Sequence, residues 1–199
     1  MKNLSLVACT LLLAVSACAQ SLTQADRDKG VQYLEQTRDG VVDAVKGLSD
    51  AQFKFKAAPD RWSVAETLEH ITMAEDYIFG HVTNDVMKGP AGPPDRDTAK
   101  LDAMVLAMIP DRSHKRQAPP ELVPTGKGTP QETLQHFLDS RAKTIAYMKT
   151  TPDLREHVAD SPLGVQLDAY EWILFIGAHS ARHTKQILEV KDDPKFPKN

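Results

Sequence analysis

The chain has 199 residues, 41% of them hydrophobic and 26% charged, the balance of a folded globular protein and not of a disordered or fibrous one. A net charge of −3 argues against a nucleic-acid-binding surface. The two cysteines, Cys9 and Cys18, both fall in the first twenty residues, so no disulfide is available to the rest of the chain and its stability must come from a core, a metal, or both.

Lys2 is followed by an apolar run from Leu4 to Val15 that closes on Ser16, Ala17, Cys18 and Ala19, the pattern of a secretory signal peptide over residues 1–19. The run is shorter than the roughly 20 residues a membrane-crossing helix requires, so no transmembrane span is expected. Two processing routes compete. Ala17-Cys18-Ala19 fits cleavage before Gln20, whereas Val15-Ser16-Ala17-Cys18 resembles a bacterial lipobox that would place a lipid anchor on Cys18. Helical pattern begins again at Thr23, which leaves little room for a tether and favours the soluble form. The expected location is periplasmic or secreted, with lipid anchoring in the envelope as the alternative.

Four long helical stretches follow. Val31, Leu34, Val41, Val45 and Leu48 draw one apolar stripe on a helix opening at Thr23. Ser63-Val64-Ala65-Glu66 is a capping box that starts a second helix through Leu68, Ile71, Ile78 and Val82, expected to end near Lys88. Residues 89–128 carry seven prolines and read as a long loop with one short helix from Leu101 to Met108. Connections of that length in a compact domain are commonly lids or binding walls. Thr129-Pro130-Gln131-Glu132 opens the third helix, with Leu134, Leu138, Ile145 and Met148 as its stripe. The fourth runs from about Asp168 to Val190, with Trp172, Ile176, Ile187 and Val190 on one side. Few segments read as strands. The fold class expected is all-α, with Trp62 and Trp172 in the core.

The chemistry rests on histidines. His179 and His183 are four residues apart, about one turn, with side chains rotated by only about 40° on the helix, so both can reach one ion. They share the apolar side of the fourth helix, where an unpartnered imidazole is costly. His70 lies beside the apolar arc of the second helix, and three neutral imidazoles converging between helices make an open metal site. The competing reading is three hydrogen-bonded core histidines. His81, His114, His136 and His157 lack such spacing and are expected at the surface.

The run from Asp60 to Ile71, with Trp62, Ser63, Glu66 and His70, resembles the second-helix signature of the DinB-like superfamily. Ala178 to Ile187, with His179, His183 and Gln186, is similar to that family's H-x-x-x-H-x-x-Q pattern. The similarity extends in order and spacing from Thr23 to Val190, giving an expected DinB-like domain over residues 22–192 after the leader. The resemblance implies a four-helix bundle with long inter-helix connections and a divalent metal, commonly zinc or nickel, on His70, His179 and His183. Some relatives are thiol-dependent transferases or isomerases, and many have no assigned reaction. This chain departs from the pattern at Arg182, where another histidine is common, and at Lys185, where glycine is frequent. Export is a further departure, since thiol cofactors are concentrated in the cytosol.

Glu75 falls inside the apolar arc of the second helix, and Arg38 and Arg141 fall inside the stripes of the first and third. Buried charges find partners. Either Glu75 pairs with one of the arginines as a structural unit, or an arginine anchors an anionic substrate near the metal. The function expected is a metal-dependent enzyme of the hydrolase or thiol-type transferase class acting on a small-molecule substrate. Its alternative is a non-catalytic metal- or ligand-binding envelope protein. No general base is apparent in the sequence, and Glu66, one turn before His70, is the candidate to orient that ring. Assembly is open, a homodimer being one option.

Overall fold

The computed structural model describes residues 21–198, so the expected leader, both cleavage sites, Cys9 and Cys18 lie outside the described residues. Four long helices, α1 (Gln24–Val45), α3 (Val64–Asn84), α5 (Pro130–Thr150) and α6 (Ala169–Lys191), form a bundle, with the short α2 (Asp50–Lys54) and α4 (Thr98–Met108) in its connections. Each long helix starts where a side chain can satisfy its free amides. Thr23 accepts from the Asp26 amide, and Ser63, Thr129 and Asp168 each form a capping box with the acid three residues on.

Side-chain contacts define the directions of the helices. Gly177 of α6 packs against Tyr33 of α1 and Gly40 against Thr184, so α1 and α6 are parallel. A Cβ on Gly177 would come within 3.0 Å of the Tyr33 ring, which shows how closely these two backbones approach. His70 meets His183 while His81 meets Trp172, making α3 and α6 antiparallel. Thr72 reaches the Thr133 carbonyl and Phe79 packs on Tyr147, so α3 and α5 are parallel. Around the bundle the order is α1, α6, α3, α5, so α1 and α3 face each other across a diagonal, as do α5 and α6, while α3 and α5 are neighbours.

Parallel neighbours require a connection that returns along the bundle. Residues 85–129 make that return from the end of α3 to the start of α5, carrying α4, which packs on α6. Its near end is tied by buried ion pairs: Arg96 bonds Asp168 at 3.0 Å and Glu171 at 2.6 Å, while Arg155 meets Asp102 of α4 at 2.7 Å. The capping box of α6 therefore also holds the crossover. Three details differ from expectation. The second helix ends at Asn84, followed by one 3-10 turn at Val86–Lys88. α2 and an antiparallel hairpin, β1 (Val158–Asp160) with β2 (Gln166–Asp168), were not anticipated, because five- and three-residue elements are too short to display a period. On α5 Phe137, Arg141, Thr144 and Met148 are fully buried, whereas Leu134 and Leu138 are half-buried.

That last shift has a cause. The core is two apolar clusters, one around Leu34, Ile78, Ile173 and Ile176, the other around Val41, Leu68, Ile71, Phe137 and Ile187. Between them lies a polar layer. Arg141 and Glu75 form a two-pronged pair, Nε to Oε1 at 2.9 Å and one terminal nitrogen to Oε2 at 2.7 Å, with neither side chain exposed. Arg141 also donates to the Leu34 carbonyl, Thr37 and Ser180, each at 2.8 Å, and Thr144 donates to Glu75 at 2.8 Å. All five guanidinium N–H groups are used. Arg141 is thus a structural partner and no substrate anchor, while Arg38 pairs locally with Asp39 at 2.8 Å on the surface.

Glu75→Gln leaves a buried guanidinium without its counter-ion, and should cost about 3–5 kcal/mol of stability in urea denaturation. The double replacement Glu75→Leu with Arg141→Met should recover most of that loss. Equal destabilisation by the single and double changes would contradict this account of the layer.

Candidate metal centre

The three histidines meet between α3 and α6. Two lie on α6 because their four-residue spacing stacks them on one face, and the antiparallel run of α3 brings His70 opposite them. Their candidate ligand atoms all lie within 4.8 Å of one another. His70 and His183 are buried and His179 is partly so. Ring centroids are 4.4–4.9 Å apart, and Trp62, expected in the core, is half-buried and forms a wall 4.8 Å from the His70 ring.

Hydrogen bonds select which nitrogens face inward. The His70 Nδ1 lies 2.8 Å from the Leu122 carbonyl, which can only accept, so Nδ1 carries the proton and Nε2 presents a lone pair. His183 Nδ1 lies 3.0 Å from Gln186 Oε1. Arg112, which can only donate, reaches the same Gln186 oxygen at 3.1 Å and is itself clamped on Glu189 by two contacts of 2.6 Å. This chain holds the amide oxygen toward the ring, so His183 also donates from Nδ1 and frees Nε2. The Nε2 atoms of His70 and His179 are 3.2 Å apart, close to the roughly 3.3 Å that separates two nitrogens on one tetrahedral zinc. The donor set therefore fits a divalent cation.

Glu66 does not orient His70. Its carboxylate accepts from the Ser63 amide and the Lys56 ammonium, each at 2.7 Å, because a capping residue is committed to its own helix end. Leu122 and Gln186 hold the rings instead. The first is a backbone atom with no side-chain signal, and the second was visible only as a letter in a motif.

A cleft of ≈ 1200 Å³ opens beside the histidines, walled by α3, α6 and residues 109–123 of the crossover. His81 and His114 border it, as does Trp172, whose indole nitrogen has no partner among the described residues. His136 is exposed on Asp76, and His157 bonds the Gly89 carbonyl at 2.8 Å. The crossover wall is pinned to α6. Arg182 donates to the carbonyls of Asp111 and, at 2.9 Å, His114, and Lys185 reaches the Pro110 carbonyl at 3.2 Å.

A family model described as the DinB superfamily matches residues 33–187. The chain belongs to the DinB superfamily. The uncharacterized protein YuaE of Bacillus subtilis strain 168 is 28% identical over 150 residues, covering 74% of this chain and 88% of YuaE. Among solved structures, YfiT from Bacillus subtilis, described as a probable metal-dependent hydrolase with an unusual four-helix bundle topology, matches with a TM-score of 0.54. That alignment has 16% identity and covers 86% of this chain and 89% of YfiT, a likeness of fold. In this member of the DinB superfamily, Arg182 and Lys185, the two departures from the motif, both fasten the crossover.

Burial holds all three imidazoles below the ordinary 6.5, with His179 pushed down to about 3, so they are neutral at physiological pH. The folded chain therefore binds fewer protons than the unfolded chain once pH falls below about 6.5. Their contribution to stability is complete above that value and shrinks as the medium is acidified. In metal-free protein the urea midpoint should fall between about pH 7.5 and about pH 5.5, and less steeply in His179→Gln. An identical slope in the variant would refute this.

Proposed function

We propose that the chain is an exported metal-dependent enzyme of the hydrolase or thiol-type transferase class, with one divalent ion on His70, His179 and His183. The observation that carries this reading is the convergence of unprotonated imidazole nitrogens beside an open cleft. The description of YfiT as a probable metal-dependent hydrolase supports it. Zinc and nickel both suit an all-imidazole set.

An ion held by His70, His179 and His183 would supply Lewis acidity toward a carbonyl or phosphoryl oxygen, a water or a thiol. The chain's own part is positional. Leu122 and the Gln186–Arg112–Glu189 relay keep the His70 and His183 rings aimed by accepting from the ring nitrogens that face away from the site. Trp62 covers one side and limits water access, and the cleft admits the substrate. One observation favours a non-catalytic binding protein as the second reading: Glu189, a carboxylate lining the cleft, is taken up within the relay by Arg112, with Arg61 at 3.6 Å. Turnover of esters, amides or thiol adducts that chelation abolishes would select the enzyme, and stoichiometric metal without turnover the binding protein.

His183→Ala should reduce bound metal from about one equivalent to background while the helical circular dichroism remains, because an open site has no ligand to spare and four packed helices sustain the fold. His136→Ala, on the surface, should keep its metal. Equal metal content in the two variants would remove the three-histidine site.

Export is proposed from the leader together with processing before Gln20. Mass spectrometry of protein recovered from the producing cells should give an unmodified N-terminus at Gln20. A diacylated Cys18 would replace the soluble form with the anchored one.

A further inference from the structure

The cleft is cationic although the protein is not. Arg61, Arg112, Lys115, Arg116 and Arg182 line it against Asp60, Asp160 and Glu189. The carboxylates are engaged. Glu189 takes Arg112 and Arg61, Asp60 takes Lys115 at 3.7 Å, and Asp160 accepts from Gln166 at 3.2 Å. Arg116 has no hydrogen bond or ion pair among the described residues. Arg182 is only 6% exposed, and its bonds go to uncharged carbonyls of the crossover. Those bonds use the two terminal nitrogens and leave Nε–H free.

The two arginines share one wall: Arg182 holds the His114 carbonyl at 2.9 Å, two residues before Arg116, and both line the same cleft. Arg182 also lies between His179 and His183 in sequence. Three neutral imidazoles contribute no negative charge, so a divalent ion among them adds two positive charges to this recess. A buried charge without a counter-ion is unfavourable.

We propose that Arg182 and Arg116 form an oxyanion subsite beside the three histidines, and that the substrate is an acid bearing a carboxylate or phosphate on an apolar or aromatic body. The proposal rests on the metal-site reading for its place in catalysis, though the arginines are independent of the metal. The body fits the rest of the cleft, where Tyr77, Ile78, Trp172 and Phe175 supply apolar surface. Guanidinium groups suit such an anion because they present parallel N–H donors.

Isothermal titration of metal-free protein with benzoate, phenylphosphate and the neutral benzamide tests this. Both anions should bind at least about tenfold more tightly than benzamide, and the tighter of the two identifies the oxyanion. Arg116→Met, on an exposed side chain that holds nothing, and Arg182→Lys, which keeps the charge and loses the planar fork, should each weaken anion binding several-fold. His136→Ala, outside the cleft, should not. Equal binding of anions and benzamide, or anion binding unchanged in both arginine variants, overturns the proposal. If anions bind only after metal loading and ignore the arginines, the metal reading stands and this one falls. If the arginine dependence holds while the wild-type protein takes up no zinc or nickel when offered it, this proposal stands and the metal reading falls.

Discussion

The pair of Glu75 and Arg141 is the constraint around which the bundle is arranged. It is the one layer in which all four long helices bond to a single group: α3 through Glu75, α1 through Leu34 and Thr37, α6 through Ser180, and α5 through Arg141 itself. Apolar ridges tolerate sliding, since one leucine replaces another with small loss. A guanidinium with five directed donors does not. The cost of desolvating such a pair means that it adds little net stability, and its effect is to specify one register among several that the apolar stripes would allow. Ser180 adjoins His179, so the same bond that fixes the rotation of α6 also aims the histidine face at α3.

The second determinant is topological. Because α3 and α5 are parallel neighbours, the chain must travel back along the bundle, and the route it takes passes beside the histidines. The crossover is therefore both connector and wall. It delivers the Leu122 carbonyl to one ring and Arg112 to the partner of another, and it is fastened by ion pairs at its near end and by Arg182 and Lys185 over the cleft. Burial by this wall keeps the imidazoles neutral, the protonation state that a metal demands.

Much of this was legible in the sequence. All four long helices announced themselves by caps and stripes, and helical spacing alone placed His179 and His183 on one face. His70 could be added from its position beside the apolar arc and from the family resemblance. Glu75 was recognisable as a charge in the wrong place, yet the choice between Arg38 and Arg141 required the tertiary structure, since both occupied stripe positions. Glu66 was misread because one carboxylate can cap a helix or orient a ring, and the local bond prevails when both compete. Of the expected α5 stripe, Ile145 and Met148 are buried while Leu134 and Leu138 are half-buried, because the buried face also takes in Arg141 and Thr144. Arg141 was recognisable within the stripe, whereas Thr144 looks like a surface residue until its partner is known.

The hold on His70 by Leu122 has an implication for how such a site changes over time. A carbonyl is common to every amino acid, so replacement of the side chain at that position leaves the bond to the ring available, provided the path of the chain is kept. Insertion or loss of a single residue in the preceding stretch shifts the carbonyl by more than 3 Å, well beyond hydrogen-bond reach. For the tautomer of the histidine beneath, the length of this part of the crossover matters more than its letters, with Leu122 itself held by its place in the core.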